Sequence, residues 1–228
     1  MKAPFVGRAL SLALMLGMVV WWGARVMSGR PAEPRGAFPA PAVDSPLAAG
    51  KGTRRAVFAG GCFWGVQAVF QHVQGVTGAT AGYAGGTVEN PYYELVSSGS
   101  TGHAESVEVE YDPSQITYGK LLMIFFSVAH DPTQKDRQGP DIGTQYRSEV
   151  FYQTPEQKRI AEAYIAQINA AGIYKRPVVT QVVAGAPFYP AEDYHQNYMQ
   201  QHPDDPYIVF NDRPKLERLK STYPELYR

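Results

Sequence analysis

The chain has 228 residues, of which 44% are hydrophobic, 18% charged and 12% aromatic, an ordinary globular composition that excludes a disordered or collagen-like protein despite 22 Gly and 18 Pro. Basic and acidic residues balance at 21 each, so no electrostatic footprint for nucleic acid is present. One cysteine, Cys62, excludes an intrachain disulfide and any multi-thiolate zinc or iron–sulfur site.

Lys2 and Arg8 precede an uncharged stretch from Ala9 to Ala24, which Arg25 closes. As a helix it would span roughly 24 Å against a hydrocarbon core of about 30 Å, between a long signal-peptide core and a short membrane anchor. Trp21 and Trp22 suit a membrane boundary. A buried core helix is the rival reading, but the segment that follows cannot pack it. That segment carries Pro31, Pro34, Pro39, Pro41 and Pro46 among Ala and Gly, and reads as an extended linker. The expected organisation is therefore a signal peptide or membrane anchor over 1–25, a Pro/Ala-rich linker over 26–50 and one folded domain over 51–228. Ala40-Pro41-Ala42 matches a cleavage site poorly, so export with the segment kept as an anchor is favoured. The folded part is then periplasmic or held at the inner membrane outside the cytoplasm. The cytoplasmic face is the alternative, because basic residues flank the apolar stretch on both sides.

In the remainder, Arg55 to Ala59 reads as a short buried strand ended by Gly60-Gly61. Cys62 opens a helix in which Val66, Val69, Phe70 and Val73 follow the i, i+3, i+4, i+7 rule, and Gly75 stops it. Residues 76–86 are Gly-rich, an irregular strand and turn, and 91–98 form one short helix. Residues 104–111 alternate cleanly and predict a half-buried strand ended by Asp112-Pro113. A helix follows over 117–129, then a long loop over 130–146, and a strand over 147–152. Thr154-Pro155-Glu156-Gln157 is a capping box with Pro at the first helical position, and Gly172 supplies the far cap. Residues 178–183 are another strand, and short helices follow near 191–200 and 213–222. Strands and helices mix without a strict βαβ rhythm, which predicts an α+β sandwich, a mixed sheet with helices packed on it.

A lone cysteine often only fills space in a core. Gly60-Gly61, however, lets backbone approach closely, and a sulfur in the first helical turn meets unpaired N–H groups and a dipole that favour an anion. A lowered thiol pKa is the expectation. Glu105 shares strand parity with Val107, Val109 and Tyr111, whereas Glu108 and Glu110 share the other face, so Glu105 points inward. Such a carboxylate must be paired or protonated. A backbone group or His103 could satisfy it, and beside a thiolate it would make a proton-holding partner. Asp141, Gln145 and Tyr146 are hydrogen-bonding residues in the long loop, and periodicity says nothing more of them.

Four motifs then occur in order: Gly61-Cys-Phe-Trp-Gly65, Gly102-His-Ala-Glu105 leading into Tyr111-Asp-Pro113, Gly143-Thr-Gln-Tyr-Arg-Ser148, and Ala191-Glu-Asp-Tyr-His-Gln196. The chain resembles the peptide methionine sulfoxide reductase A family from about Phe58 to His202. The resemblance implies an α+β fold, a ferredoxin-like two-layer plait with a central mixed β-sheet and packed helices. It implies reduction of the S epimer of methionine sulfoxide, free or in proteins, with no metal or organic cofactor and an external thiol as reductant. Position by position, it implies that Cys62 attacks the sulfoxide sulfur and that Glu105 protonates the oxygen. It further implies that Phe63 and Trp64 hold the S-methyl group, that Tyr93 and Tyr146 bond the oxygen, and that Asp141 positions substrate and water. Glu192, Asp193, Tyr194 and His195 match a bordering motif with supporting roles.

Many members carry further cysteines that resolve the sulfenic acid. This chain has none, and Ser97 stands where relatives often have Cys. The expected partners are therefore the oxidised methionine and a thioredoxin-like protein or a small thiol. The membrane is met through the amino-terminal segment only, and a monomer is expected. A one-cysteine peroxidase and a membrane-tethered binding module for oxidised proteins are the rival classes.

Overall fold

A computed structural model describes residues 37–228. The anchor expected over 1–25 lies outside the described residues, as does the linker up to residue 36. Among the described residues no helix is long and apolar enough to cross a membrane. The part of the expected linker that is described packs on the domain. Phe38 sits edge-on to Tyr164 and Tyr174, the Tyr164 hydroxyl donates to the Pro39 carbonyl at 2.7 Å, and Asp44 accepts from the Gly119 N–H at 2.8 Å.

Six strands form one mixed sheet: β1 (Arg54–Gly60), β2 (Val76–Ala84), β3 (Ala104–Tyr111), β6 (Ser148–Tyr152), β7 (Gln181–Ala184) and β8 (Tyr189–Pro190). A separate two-stranded hairpin joins β4 (Arg137–Gln138) to β5 (Asp141–Ile142). The order across the sheet is β7-β6-β1-β3-β2-β8, antiparallel throughout except for the parallel pair β6–β7. Alternation along β1 sends Ala56 and Phe58 to the main core, and Val57 and Ala59 to a smaller cluster with Phe151 and Phe188 on the opposite face.

The helices are α1 (Phe63–Gln71), α2 (Tyr93–Ser97), α3 (Tyr118–Ile124), α4 (Pro155–Ala170), α5 (Tyr198–Gln201) and α6 (Arg213–Thr222). Apolar residues of α1, α3, α4 and α6 join the core on the Phe58 face, which gives the two-layer α+β architecture expected from the sequence. The parallel crossover runs through α4, whose Thr154 hydroxyl accepts from the Gln157 N–H at 3.2 Å. Phe58 stacks on Phe70 of α1 and on Phe125, at centroid distances of 5.2 and 4.9 Å.

Two expectations change. The helix over 117–129 is α-helical only to Ile124 and continues as a wider π turn to Ala129, where the Ser127 hydroxyl bonds back to the Met123 carbonyl at 2.6 Å. The loop over 130–146 holds the β4–β5 hairpin and a 3-10 turn over Thr144–Tyr146. Its order comes from side chains bonding to backbone: Gln138 accepts from the Asp131 N–H and donates to the Asp131 carbonyl, while Gln134 accepts from the Gly139 N–H. Such bonds leave no hydrophobic period in the sequence.

Phe58 is fully buried between sheet and helices, so Phe58→Ala is expected to cost about 3–5 kcal/mol, read as a lowered urea midpoint at unchanged m-value.

Candidate active site

The strand β1 ends at Gly60, and the chain turns through Gly61 at φ +87° into α1. A Cβ at Gly61 would lie 2.4 Å from the Gln138 side chain, so only glycine allows the hairpin to close over this turn. Cys62 is therefore the N-cap residue of α1 and stands just before the first helical turn. Its neighbour Phe63 donates its backbone N–H to Oε2 of Glu105 at 3.0 Å, a bond that ties the start of α1 to the inward face of β3. Glu105 is 2% exposed, as strand parity predicted, and His103 is not its partner. That imidazole instead accepts from the Gly86 N–H and bonds the Val88 carbonyl.

Cys62, Phe63, Trp64, Tyr93, Glu105, Asp141 and Tyr146 line one cavity of about 290 Å³, together with Asp205 and Tyr207. Every residue expected to act on substrate thus faces the same space. The tyrosines arrive from separate elements. Tyr93 opens α2, where Glu192 accepts its backbone N–H at 2.8 Å and the Tyr83 hydroxyl at 2.8 Å. Tyr146 ends the 3-10 turn, which Gln145 pins to α2 through a 2.9 Å bond to the Ser97 carbonyl. Trp64 stacks on Tyr198 at 3.8 Å and donates from Nε1 to Nδ1 of His195 at 3.1 Å.

Of the four residues expected in supporting roles, Glu192 and His195 therefore brace Tyr93 and Trp64. Asp193 and Tyr194 are exposed on the same 3-10 turn and do not line the cavity. The turn directs these two consecutive side chains outward, which the motif alone does not reveal.

Sequence reasoning missed Tyr207, Asp212 and Lys215. The Tyr207 hydroxyl donates to Asp141 at 2.5 Å. Asp212 and Lys215 pair at 3.0 Å beside the start of α1, so close that a Cβ on Gly65 would lie 2.1 Å from the Asp212 carboxylate. They sit around the start of α6, where nothing in the hydrophobic pattern marks them. The only signal was that a lysine and an aspartate three residues apart share one face of a helix start.

Burial pushes the Glu105 carboxyl up to about 8, with the Phe63 N–H opposing and the negative Asp141 and Asp212 adding to it. It is therefore mostly protonated at neutral pH. Burial also raises the Cys62 thiol well above its ordinary value. Glu105 and Asp212 add to this, while the Trp64 N–H and Lys215 oppose it. This reverses the expectation of a lowered thiol pKa. At the N-cap the sulfur receives one helix N–H, too little to offset desolvation at 7% exposure. Among the described residues no group of three or more His, Cys, Asp or Glu side chains could hold a metal ion.

The family profile described as peptide methionine sulfoxide reductase matches residues 54–226. The chain belongs to this family. Peptide methionine sulfoxide reductase MsrA 2 of Mesorhizobium japonicum is 56% identical over 179 residues, covering 78% of this chain and 92% of that protein. The protein of the same name from Synechocystis is 50% identical, covering 82% and 89%. Among solved structures, methionine sulfoxide reductase A of Corynebacterium diphtheriae superposes with a TM-score of 0.60 at 34% identity, covering 78% of this chain and 92% of that one. Reduced Mxr1 from Saccharomyces cerevisiae gives 0.62 at 29% identity, covering 72% and 92%. This reductase is thus an enzyme that reduces methionine sulfoxide, an activity of protein repair.

The raised pKa has a consequence for stability. The unfolded chain sheds the Glu105 proton near 4.5, whereas the folded chain keeps it to about 8. The contribution of this group is thus fully present below about pH 4.5 and is lost as pH rises through about 8. Glu105→Gln removes the titration, so its urea midpoint is expected to fall less than that of the parent between pH 5 and pH 8.5.

Proposed function

We propose that the cavity binds a methionine sulfoxide with its sulfur against Cys62 and its oxygen against Glu105, Tyr93 and Tyr146. The observation that carries this reading is a buried carboxyl and a thiol on the wall of one aromatic-lined cavity, with burial pushing the carboxyl up to about 8. Phe63 and Trp64 supply an apolar seat for the S-methyl group, and Asp141, held by Tyr207, orders the polar side.

A sulfoxide oxygen leaves sulfur poorly until it is protonated. Glu105 gives its proton to that oxygen, which draws electron density from the sulfoxide sulfur and opens it to attack. The Cys62 thiol passes its proton to the carboxylate just formed, and the sulfur attacks. Oxygen is transferred, methionine is released and Cys62 is left as sulfenic acid, with Glu105 protonated again. Donation from Glu105 creates a carboxylate that the thiol proton then neutralises, so the two groups titrate as a coupled pair. We take the substrate to be the S epimer, as the resemblance to the family implies.

With Cys62 the only thiol in the chain, an external thiol must restore it, from a thioredoxin-like protein or a small molecule. The enzyme needs no metal or organic cofactor for these steps. Export with retention of the amino-terminal apolar segment remains our reading of localisation. It is supported by the sequence of residues 9–24, and is checked by finding the protein in the membrane fraction with an intact amino terminus by mass.

A single turnover of an S-sulfoxide peptide without reductant is expected to release one methionine per enzyme and to add one oxygen to Cys62, read by peptide mass. Cys62→Ser should abolish it. Oxygen found on any other residue would refute the reading. Glu105→Gln should slow this burst at least about 100-fold with substrate affinity retained. In the parent enzyme the burst rate should decline as pH rises past about 8, where the acid form of Glu105 is lost.

A further inference from the structure

Cys62 lines a second cavity as well. It has a volume of about 90 Å³, room for roughly three waters, and its wall includes Val128, Gln138, Phe210, Pro214, Lys215 and Arg218. Asp141 and Tyr207 border both cavities and bond to each other, so this pair forms the partition between them. The two spaces differ in character. The first presents the carboxyl of Glu105, whereas the second presents two cationic side chains.

In our reading of the reaction, the oxygen taken up by Cys62 lies on the Glu105 side. A thiolate that displaces this oxygen must approach opposite the S–O bond, where the empty antibonding orbital projects. That direction leads away from the substrate cavity. We propose that the second cavity admits the thiol that recycles Cys62, and that it takes a small thiol carrying an anionic group.

Charge supports this choice of ligand. Arg218 makes no ion pair among the described residues. Lys215, whose charge Asp212 balances, adds a donor beside the sulfur. Among the described residues the only carboxyl group on the wall is that of Asp141, which already accepts from Tyr207. Phe210, 78% exposed, and Pro214 make an open apolar lip against which the carbon chain of the thiol can lie.

The chemistry balances with two thiols. The first loses its proton and attacks the Cys62 sulfur. The S–S bond forms as the S–O bond breaks, and oxygen departs as water with the proton the thiol gave up. A second thiol attacks the outer sulfur of the mixed disulfide, which releases a small-molecule disulfide and the Cys62 thiol. Cys62 is reduced by two electrons and the two thiols are oxidised.

This inference rests on the sulfenic acid reading, and the test separates the two. The full chain is given one turnover of sulfoxide peptide and the methionine burst is counted. Decay of the oxidised Cys62 is then timed by quench and mass, with 2-mercaptoethanesulfonate as the anionic thiol and cysteamine as the cationic one. The parent is expected to favour the anionic thiol. In Arg218→Glu the ratio of the two rate constants should fall at least about tenfold while the burst is unchanged. The neutral Arg218→Gln should shift the ratio in the same direction by less, and it serves if the reversed charge impairs folding. An unchanged ratio in the variants, or recycling by a protein dithiol and by neither small thiol, overturns the assignment of the cavity. Absence of a burst from the parent overturns the underlying reading instead.

Discussion

The bond between the Phe63 N–H and Glu105 is the constraint from which the site is built. It spans 42 residues of sequence and fixes the start of α1 against β3 at one point. An N–H at a helix start lacks an intrahelical partner, and a carboxyl on the inward face of a strand lacks solvent. Each satisfies the other. As Phe63 is bonded, its neighbour Cys62 is held at the same depth, so one contact brings nucleophile and acid to a shared wall. Glu105 at the same time lines the cavity, where a ligand oxygen can meet its carboxyl.

Around this contact, the remaining residues are positioned by parts of the fold that have little regular structure of their own. Glu192 sets Tyr93, Gln145 sets Tyr146, and Tyr207 sets Asp141. Each bracing bond joins segments far apart in sequence, and each brace is a polar group that cannot stay buried alone. The sheet therefore supplies rigidity while three loop segments supply the tyrosines and the aspartate. This division explains how so wide a share of the site lies outside long helices and strands without being left loose.

Legibility in the sequence followed the same division. The alternation of 104–111 predicted the β3 boundaries and the inward direction of Glu105, because burial of one sheet face imposes a period of two. The Thr154 N-cap and the apolar period of α1 were readable for similar reasons, although Gln157 completes no capping box and accepts from the Gln153 N–H instead. The β4–β5 hairpin was not, since Gln134 and Gln138 order it through bonds to backbone, and such bonds impose no period. Tyr207, Asp212 and Lys215 were also hidden. Their roles depend on α6 folding back on α1, a long-range contact for which Gly65 leaves the space. The motif residues Asp193 and Tyr194 were readable as a motif, yet they face solvent.

The thiol expectation failed in an informative way. A helix dipole argument treats the N-terminus as a source of positive potential and ignores what desolvation does at the same place. Here desolvation, with the Asp212 carboxylate adding to it, outweighs the dipole, so the resting pair is a neutral thiol beside a neutral acid. A peroxidase needs a thiolate already formed, because its peroxide brings no basic group that can take a proton before attack. A sulfoxide brings a basic oxygen of its own. It draws the proton from Glu105, and the carboxylate left behind becomes the base that the thiol lacks in the empty site. The proton inventory of the cavity thus suits a substrate that starts the transfer itself, as a sulfoxide does.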